Sequence, residues 1–534
     1  MRKIIILFLC LFALLAAYSI YVRYTLVPES PFKKYQKDSP HTYRLGFTNL
    51  MQEVSVDSIL VVGNIPEWLS GTLFRNGPAQ FTTQTSWVSN WFDGLAMVHA
   101  FSFNNGVISY SNRFLKSDDY RYVQKTGKMD YEGFAQDPCK SIFRQLFSFF
   151  VPAQKERMPN ANVNIACYTN RLVALTETPL PIEFDSATLE TLGVMRYTDS
   201  HAQVDIHDTA HPQYDSVRQE HIGYFTQFGR HSTHNVFRIK DGSTRREIIA
   251  SIPTDKPSYM HSFFITERYA ILTLLPLVVN PLALLFKKQS FIKNFSWQPA
   301  LGTRLAVVDR INNKLYGIYK TAPFFAFHTV NAFEQDNSIV MDIVMYPDPS
   351  VINDAQFVKA LAPWPSKKIP VTILPVDASR FDAGQLIRMT LNLSTEEVEV
   401  KKLFDQFVEL PRINYDHYST KPYTYVYAYG KKHSPMYVAD VLFKINVTDG
   451  IALEWHEPHC YPGEPVFVAA PRKKSEDDGV VLSVVLDVQK GTSFLLVLDA
   501  LTFKERARAW VPHHIPFGIH GLFLAQRCLA KKIE

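Results

Sequence analysis

The apolar positions of this chain fall in short runs and rarely in helical stripes. "TRLAVVDR" (303–310), "KLYGIYK" (314–320), "SIVMDIVMY" (338–346), "VVLSVVLDV" (480–488) and "SFLLVLDALT" (493–502) are β-branched or aromatic stretches of strand length. The segments "INNK", "EQDN" and "QKGT" beside them are turn formers. No Gly- or Ser-rich linker divides the chain, and so many hairpins in one uninterrupted run require an architecture that manages sheet edges. At 534 residues a β-propeller fits better than a sandwich or a small barrel, with a pair of β-domains as the alternative. Neither a WD nor a kelch repeat marks the blades.

One stretch departs from this pattern. After Arg2 and Lys3 the chain is uncharged from Ile4 to Val22, about the length that crosses a bilayer as a helix. Residues 1–25 therefore read as an uncleaved membrane anchor or a signal peptide, with the anchor favoured because the run is longer than a usual signal core. Its orientation is open, since Arg23, Lys33, Lys34 and Lys37 follow the run as Arg2 and Lys3 precede it. Residues 40–534 then form the propeller, and the protein is expected on a membrane, on the cytoplasmic or the lumenal side.

Composition narrows the chemistry. Basic and acidic residues nearly balance, 56 against 51, and no basic run is interleaved with aromatics, so nucleic acid is excluded as a partner. The 38 Phe and 26 Tyr favour strands and an apolar ligand. Five cysteines lack C-x-x-C spacing, which argues against a disulfide framework or a structural zinc site. No G-x-S-x-G elbow and no phosphate-binding glycine loop is present.

Histidines carry the remaining signal. His520 lies in "IPFGIHGLF" among small and apolar neighbours, and His211, His261 and His328 lie in similar strand-like or turn-adjacent settings. Separations of 50, 67 and 192 residues are too long for a local metal motif but suit ligands delivered singly from separate blades to a common axis. Glu177 in "LVALTETPLP", Glu409 in "FVELPRINY" and Glu464 in "YPGEPVFVAAP" sit in or beside apolar runs. There a carboxylate costs several kcal/mol unless paired. A metal-bound imidazole, whose free N–H needs an acceptor, is a suitable partner.

Other histidines read as decoys. "HEPHC" (456–460) offers two His, a Glu and a Cys, but Pro458 prevents a helical H-E-x-x-H face. His201 and His207 have polar neighbours and read as solvated loop residues, and His513 and His514 as exposed or at a pocket edge.

The blocks "GTLFRNGPAQF", "NWFDGLAMVHAFSF", "TAHPQYD", "YMHSFFITERYAIL", "FFAFHTVNAFE", "ELPRINYDHYSTKPYTYVYAYG", "PGEPVFVAAPRKKSEDDGVVLSVVLD" and "IPFGIHGLF" run in order from about residue 45 to residue 523. Together they resemble the carotenoid cleavage oxygenase family, closest to its animal branch of carotene oxygenases and the retinoid isomerohydrolase. The resemblance implies an all-β, seven-bladed propeller with a helical cap and a non-haem ferrous iron, Fe(2+), on its axis. By motif position the ligands are His211, His261, His328 and His520, supported by Glu177, Glu409 and Glu464, with His211 lacking a carboxylate. The implied activity is O2-dependent cleavage of a carotenoid or apocarotenoid double bond to carbonyl products. Isomerohydrolysis of retinyl esters and non-catalytic lipid binding are the alternatives.

The resemblance also implies that "DPCKSIFRQLFSFF", with Cys139 at a position capable of acylation, and the apolar stretch 272–291 surround a tunnel mouth at the membrane surface. Leu275 stands where relatives carry Glu or Gln. Core packing is the competing reading of both stretches.

Overall fold

In a computed structural model the described residues are 43–526, apart from 85, 89, 130, 132, 135–157, 200–205, 282–283, 285–289, 354–383 and 434–437. The candidate anchor and Cys139 lie outside them. Among the described residues no helix is long and apolar enough to cross a membrane.

Seven antiparallel sheets form the propeller, in ring order. Blade 1 holds strands Val54–Val56, Gly71–Gln80, Leu95–Asn104 and Val107–Phe114, and blade 2 runs from Asn164 to Val194. Blades 3 to 6 span 206–254, 264–321, 329–402 and 408–455, and blade 7 spans 460–510. The ring closes twice. Strand Gly521–Ala525 returns to pair with Gly71–Arg75 of blade 1, and Leu60–Gly63 pairs with Ala507–Trp510 of blade 7. A two-stranded ribbon, Leu277–Val279 with Phe295–Trp297, stands apart from the blades.

Outer strands are the more exposed, which explains the two kinds of strand in the sequence. All ten residues of Gly71–Gln80 are buried, whereas the outer strand Val398–Lys402, "VEVKK", is mostly exposed and ends in charges that discourage edge pairing. The five apolar runs become strands within a residue or so of their sequence limits, except that the last stops at Asp499. Turn chemistry fixes their register. Asp336 and Asn337 both take positive φ between the paired Gln335 and Ser338, the geometry of a tight two-residue hairpin.

The stretch from Leu272 is core over its first half. Leu272–Leu274 and Leu277–Val279 are buried strand, and Leu275 is 2% exposed within the largest apolar cluster. Core packing, the competing reading, describes this part. Pro276 interrupts the run between two strands, so its hydrophobicity serves packing.

Candidate metal centre

Each blade contributes one residue to the axial site. His211 follows the inner strand Ile206–Asp208 of blade 3. His261, His328 and His520 each stand just before an inner strand, at Phe264, Thr329 and Gly521. Blades 2, 6 and 7 supply Glu177, Glu409 and Glu464.

Backbone ties hold these lips together. Ser262 donates its hydroxyl to Phe327 O and accepts from Thr329 N, bracketing His328 from the neighbouring blade. Asn76 N donates to His520 O, and His520 N donates to Val163 O, so His520 is fixed to blade 1 and to the segment that leads into blade 2. Glu409 begins a bulge, where Leu410 takes φ 47° and donates its N–H to Glu409 Oε2.

The four histidines converge. One nitrogen from each of His211, His261, His328 and His520 lies within 4.8 Å of the others. Outside this group, His261 Nδ1 meets Glu177 Oε1 at 2.7 Å, His328 Nδ1 meets Glu409 Oε2 at 2.5 Å, and His520 Nδ1 meets Glu464 Oε1 at 2.8 Å. No carboxylate bonds His211 among the described residues.

This bonding fixes the tautomers. A carboxylate accepts only, so Nδ1 carries the proton and Nε2 a lone pair. Yet His328 Nε2 and His520 Nε2, both so fixed, face each other at 3.0 Å, while His211 Nε2, whose tautomer no carboxylate sets, lies 2.9 Å from His261 Nε2. Two lone pairs at 3.0 Å repel unless a cation lies between them. Imidazole nitrogens about 2.1 Å from a shared metal and at right angles are about 3.0 Å apart, so the residues fit a metal ion.

Electrostatics agree. Burial depresses the imidazolium forms: His520 is lowered to about 4, and His211 falls well below its usual value, with the facing histidines adding to the effect. The rings of His211, His261 and His520 are thus neutral donors at neutral pH. Burial alone would raise the glutamates, but His207, His261 and Tyr259 hold Glu177 low, and His328, Leu410 N and Tyr346 do the same for Glu409. Glu464 is held low by Arg412, Arg75 and His520. Three carboxylates against two guanidiniums leave an excess of one negative charge around the four rings, a field that attracts a cation.

Sequence reasoning missed the outer layer. Tyr259 and Tyr346 donate hydroxyls to Glu177 and Glu409 at 3.0 and 2.9 Å, and Arg75 donates to Glu464. Arg75 was visible as a lone cation in the apolar strand "GTLFRNGPAQF". Two readings of decoys are corrected. His207 is buried, bonded to Met260 O at 3.1 Å and 3.9 Å from Glu177, because Ile206–Asp208 forms an inner strand. His513 is buried beside Tyr110, reached by the chain on its way to the closing strand.

Aromatic rings continue from the tetrad. Phe327 stands edge-on to His261 at 5.4 Å, and Phe92 and Phe134 extend the series at 6.4 and 5.9 Å spacings.

Residues 47–525 match the family model described as "Retinal pigment epithelial membrane protein". The chain belongs to that family. Among its relatives, the β,β-carotene 15,15'-dioxygenase of Gallus gallus is 32% identical over 519 residues, covering 89% of this chain and 96% of the relative. The mitochondrial carotenoid-cleaving dioxygenase of Mustela putorius furo is 33% identical, covering 89% and 95%. Cobalt-substituted apocarotenoid oxygenase from Synechocystis superposes with a TM-score of 0.78 at 26% identity, covering 91% of this chain and 99% of that one.

Proposed function

We propose that this member of the family is an Fe(2+)-dependent dioxygenase that cleaves one double bond of a carotenoid or apocarotenoid to two carbonyl products. The observation that carries the reading is the tetrad itself: four imidazoles that each turn one nitrogen to a common point, three of them oriented by a buried carboxylate. The relatives named as carotene and carotenoid dioxygenases support the substrate class.

Ferrous iron bound to His211, His261, His328 and His520 would supply dioxygen activation, because imidazole suits iron and four ligands leave positions open. The protein contributes the rest. Glu177, Glu409 and Glu464 hold three rings in one tautomer and raise their basicity. Tyr259 and Tyr346 keep two of those carboxylates oriented. Phe327, Phe92 and Phe134 offer aromatic surface to a polyene and exclude water from the reacting bond. Both atoms of O2 end in the two carbonyl groups, so atoms and electrons balance without a reductant.

A lipid-dissolved substrate suits a membrane-associated enzyme, with residues 1–25 as the anchor and 40–534 as the catalytic propeller. The test is to incubate iron-loaded protein with β-carotene, lutein and a retinyl ester, under air and under argon. Aldehydes or ketones formed only under air, without added reductant, are expected. Conversion of the retinyl ester that is unchanged under argon would establish isomerohydrolysis instead.

A further inference from the structure

The three carboxylate arms are not alike. Glu177 and Glu409 each take a neutral tyrosine hydroxyl, from Tyr259 and Tyr346. Glu464 instead takes the guanidinium of Arg75 and the N–H of Gly521 on Oε2, while Arg412 approaches Oε1 to 3.7 Å. Arg75 is 4% exposed and its other nitrogen donates to Ile519 O, next to the ligand His520. Arg412 donates to Gly521 O on the far side of the same ligand.

The glycine after His520 serves this arginine. A Cβ on Gly521 would meet Phe74 O at 2.4 Å and Arg75 Cδ at 2.6 Å, so an alanine there would displace the guanidinium. The sequence "GIHG" suggests close approach of backbone to a metal, whereas Gly521 leaves room for Arg75. The ion pair also spans the ring closure, since Arg75 belongs to blade 1 and Glu464 to blade 7.

A carboxylate that accepts from Nδ1–H pushes electron density into the ring, and a guanidinium on the same carboxylate draws it back. On the reading of the tetrad as a metal centre, we propose that Arg75, backed by Arg412, is the positioning residue of the third arm. It orients Glu464 toward His520 and offsets its charge, making His520 a weaker donor than the tyrosine-supported His261 and His328.

The test uses the full chain loaded anaerobically with Fe(II), reading iron per chain and the Fe(III)/Fe(II) midpoint potential. Wild-type protein that binds no iron would overturn the metal reading itself, independently of Arg75. With iron bound, Arg75→Met is expected to lower the midpoint potential, because the uncompensated carboxylate favours the ferric ion. Arg75→Lys is expected to recover at least half of that shift. A cavity of about 20 Å3 bounded by Arg75, Asn76, His99 and Gly463 has room for one water beside the shorter ammonium.

Tyr346→Phe, which removes no charge, should shift the potential by less than half as much. Should Arg75→Met fail to fold or to hold iron, Arg412→Met decides, with a smaller fall in the same direction supporting the assignment. An unchanged or raised potential in an iron-loaded Arg75→Met or Arg412→Met protein overturns it, as does Arg75→Lys behaving like Arg75→Met.

Discussion

The corner at residues 456–460 packs two histidines, a glutamate and a cysteine into five positions, whereas the axial site gathers four histidines from four separate blades. Their side chains are gathered differently. At the corner, His456 Nδ1 bonds Asp440 O at 2.8 Å, and Glu457 is paired with Arg508 at 2.6 Å. His459 occupies a left-handed turn at φ 65°, and burial beside Glu457 pushes the Cys460 thiol up to about 12, far from the thiolate a metal needs. On the axis, each carboxylate bonds the outer nitrogen of a histidine and leaves the inner one free. Density of ligand-type residues in the sequence therefore says little; what distinguishes a site is whether the free nitrogens converge, as among the described residues only the axial four do.

The comparison can be broken most sharply by ligand removal. His261→Ala or His328→Ala should reduce iron affinity beyond the roughly 100-fold that losing an outer partner costs, since a donor disappears. Iron per chain, measured by elemental analysis after gel filtration, reads this directly. Glu409→Gln should cost about 10 to 100-fold, because the amide oxygen still accepts the Nδ1 proton but without the charge that raises ligand basicity. Competition titration with a chromophoric chelator measures it, and equality with the histidine variants would contradict the outer role of Glu409.

Asp208 sharpens the same contrast, as a buried carboxylate near the axis that lacks a bonded partner for Oδ2 among the described residues. Burial raises it to about 7. The native state then holds a proton that the unfolded chain has released. Stability falls as pH rises from about 4 to about 7, and the cost is complete above that. Asp208→Asn should accordingly stabilise the protein at pH 8 by about 1–4 kcal/mol and lose that advantage near pH 4. Thermal unfolding across this range is the check. The smallest effect belongs to the corner: His456→Ala and His459→Ala should leave iron content unchanged.

Strand runs and turn residues were legible because a propeller blade is built from local hairpins, so "SIVMDIVMY" and "EQDN" carry their own structure. The seven axial residues were reachable as polar groups stranded in apolar runs and by resemblance. Their supports were harder to read. Tyr259 and Tyr346 look like ordinary aromatic strand residues, and nothing local says that their hydroxyls meet glutamates 82 and 63 positions away. His207 was misread for the converse reason, since polar neighbours do not reveal that a short strand turns their histidine inward. Leu275 shows that an apolar run gives burial without saying whether protein or lipid provides it.

The central claim is that a single metal ion is held by one nitrogen from each of His211, His261, His328 and His520. Crystals grown anaerobically with ferrous iron allow an anomalous difference map at the iron edge. One peak is expected, within bonding distance of all four Nε2 atoms and beyond it from Glu177, Glu409 and Glu464. A peak at residues 456–460, or one bonded to any of those carboxylates in place of a histidine, would contradict the account.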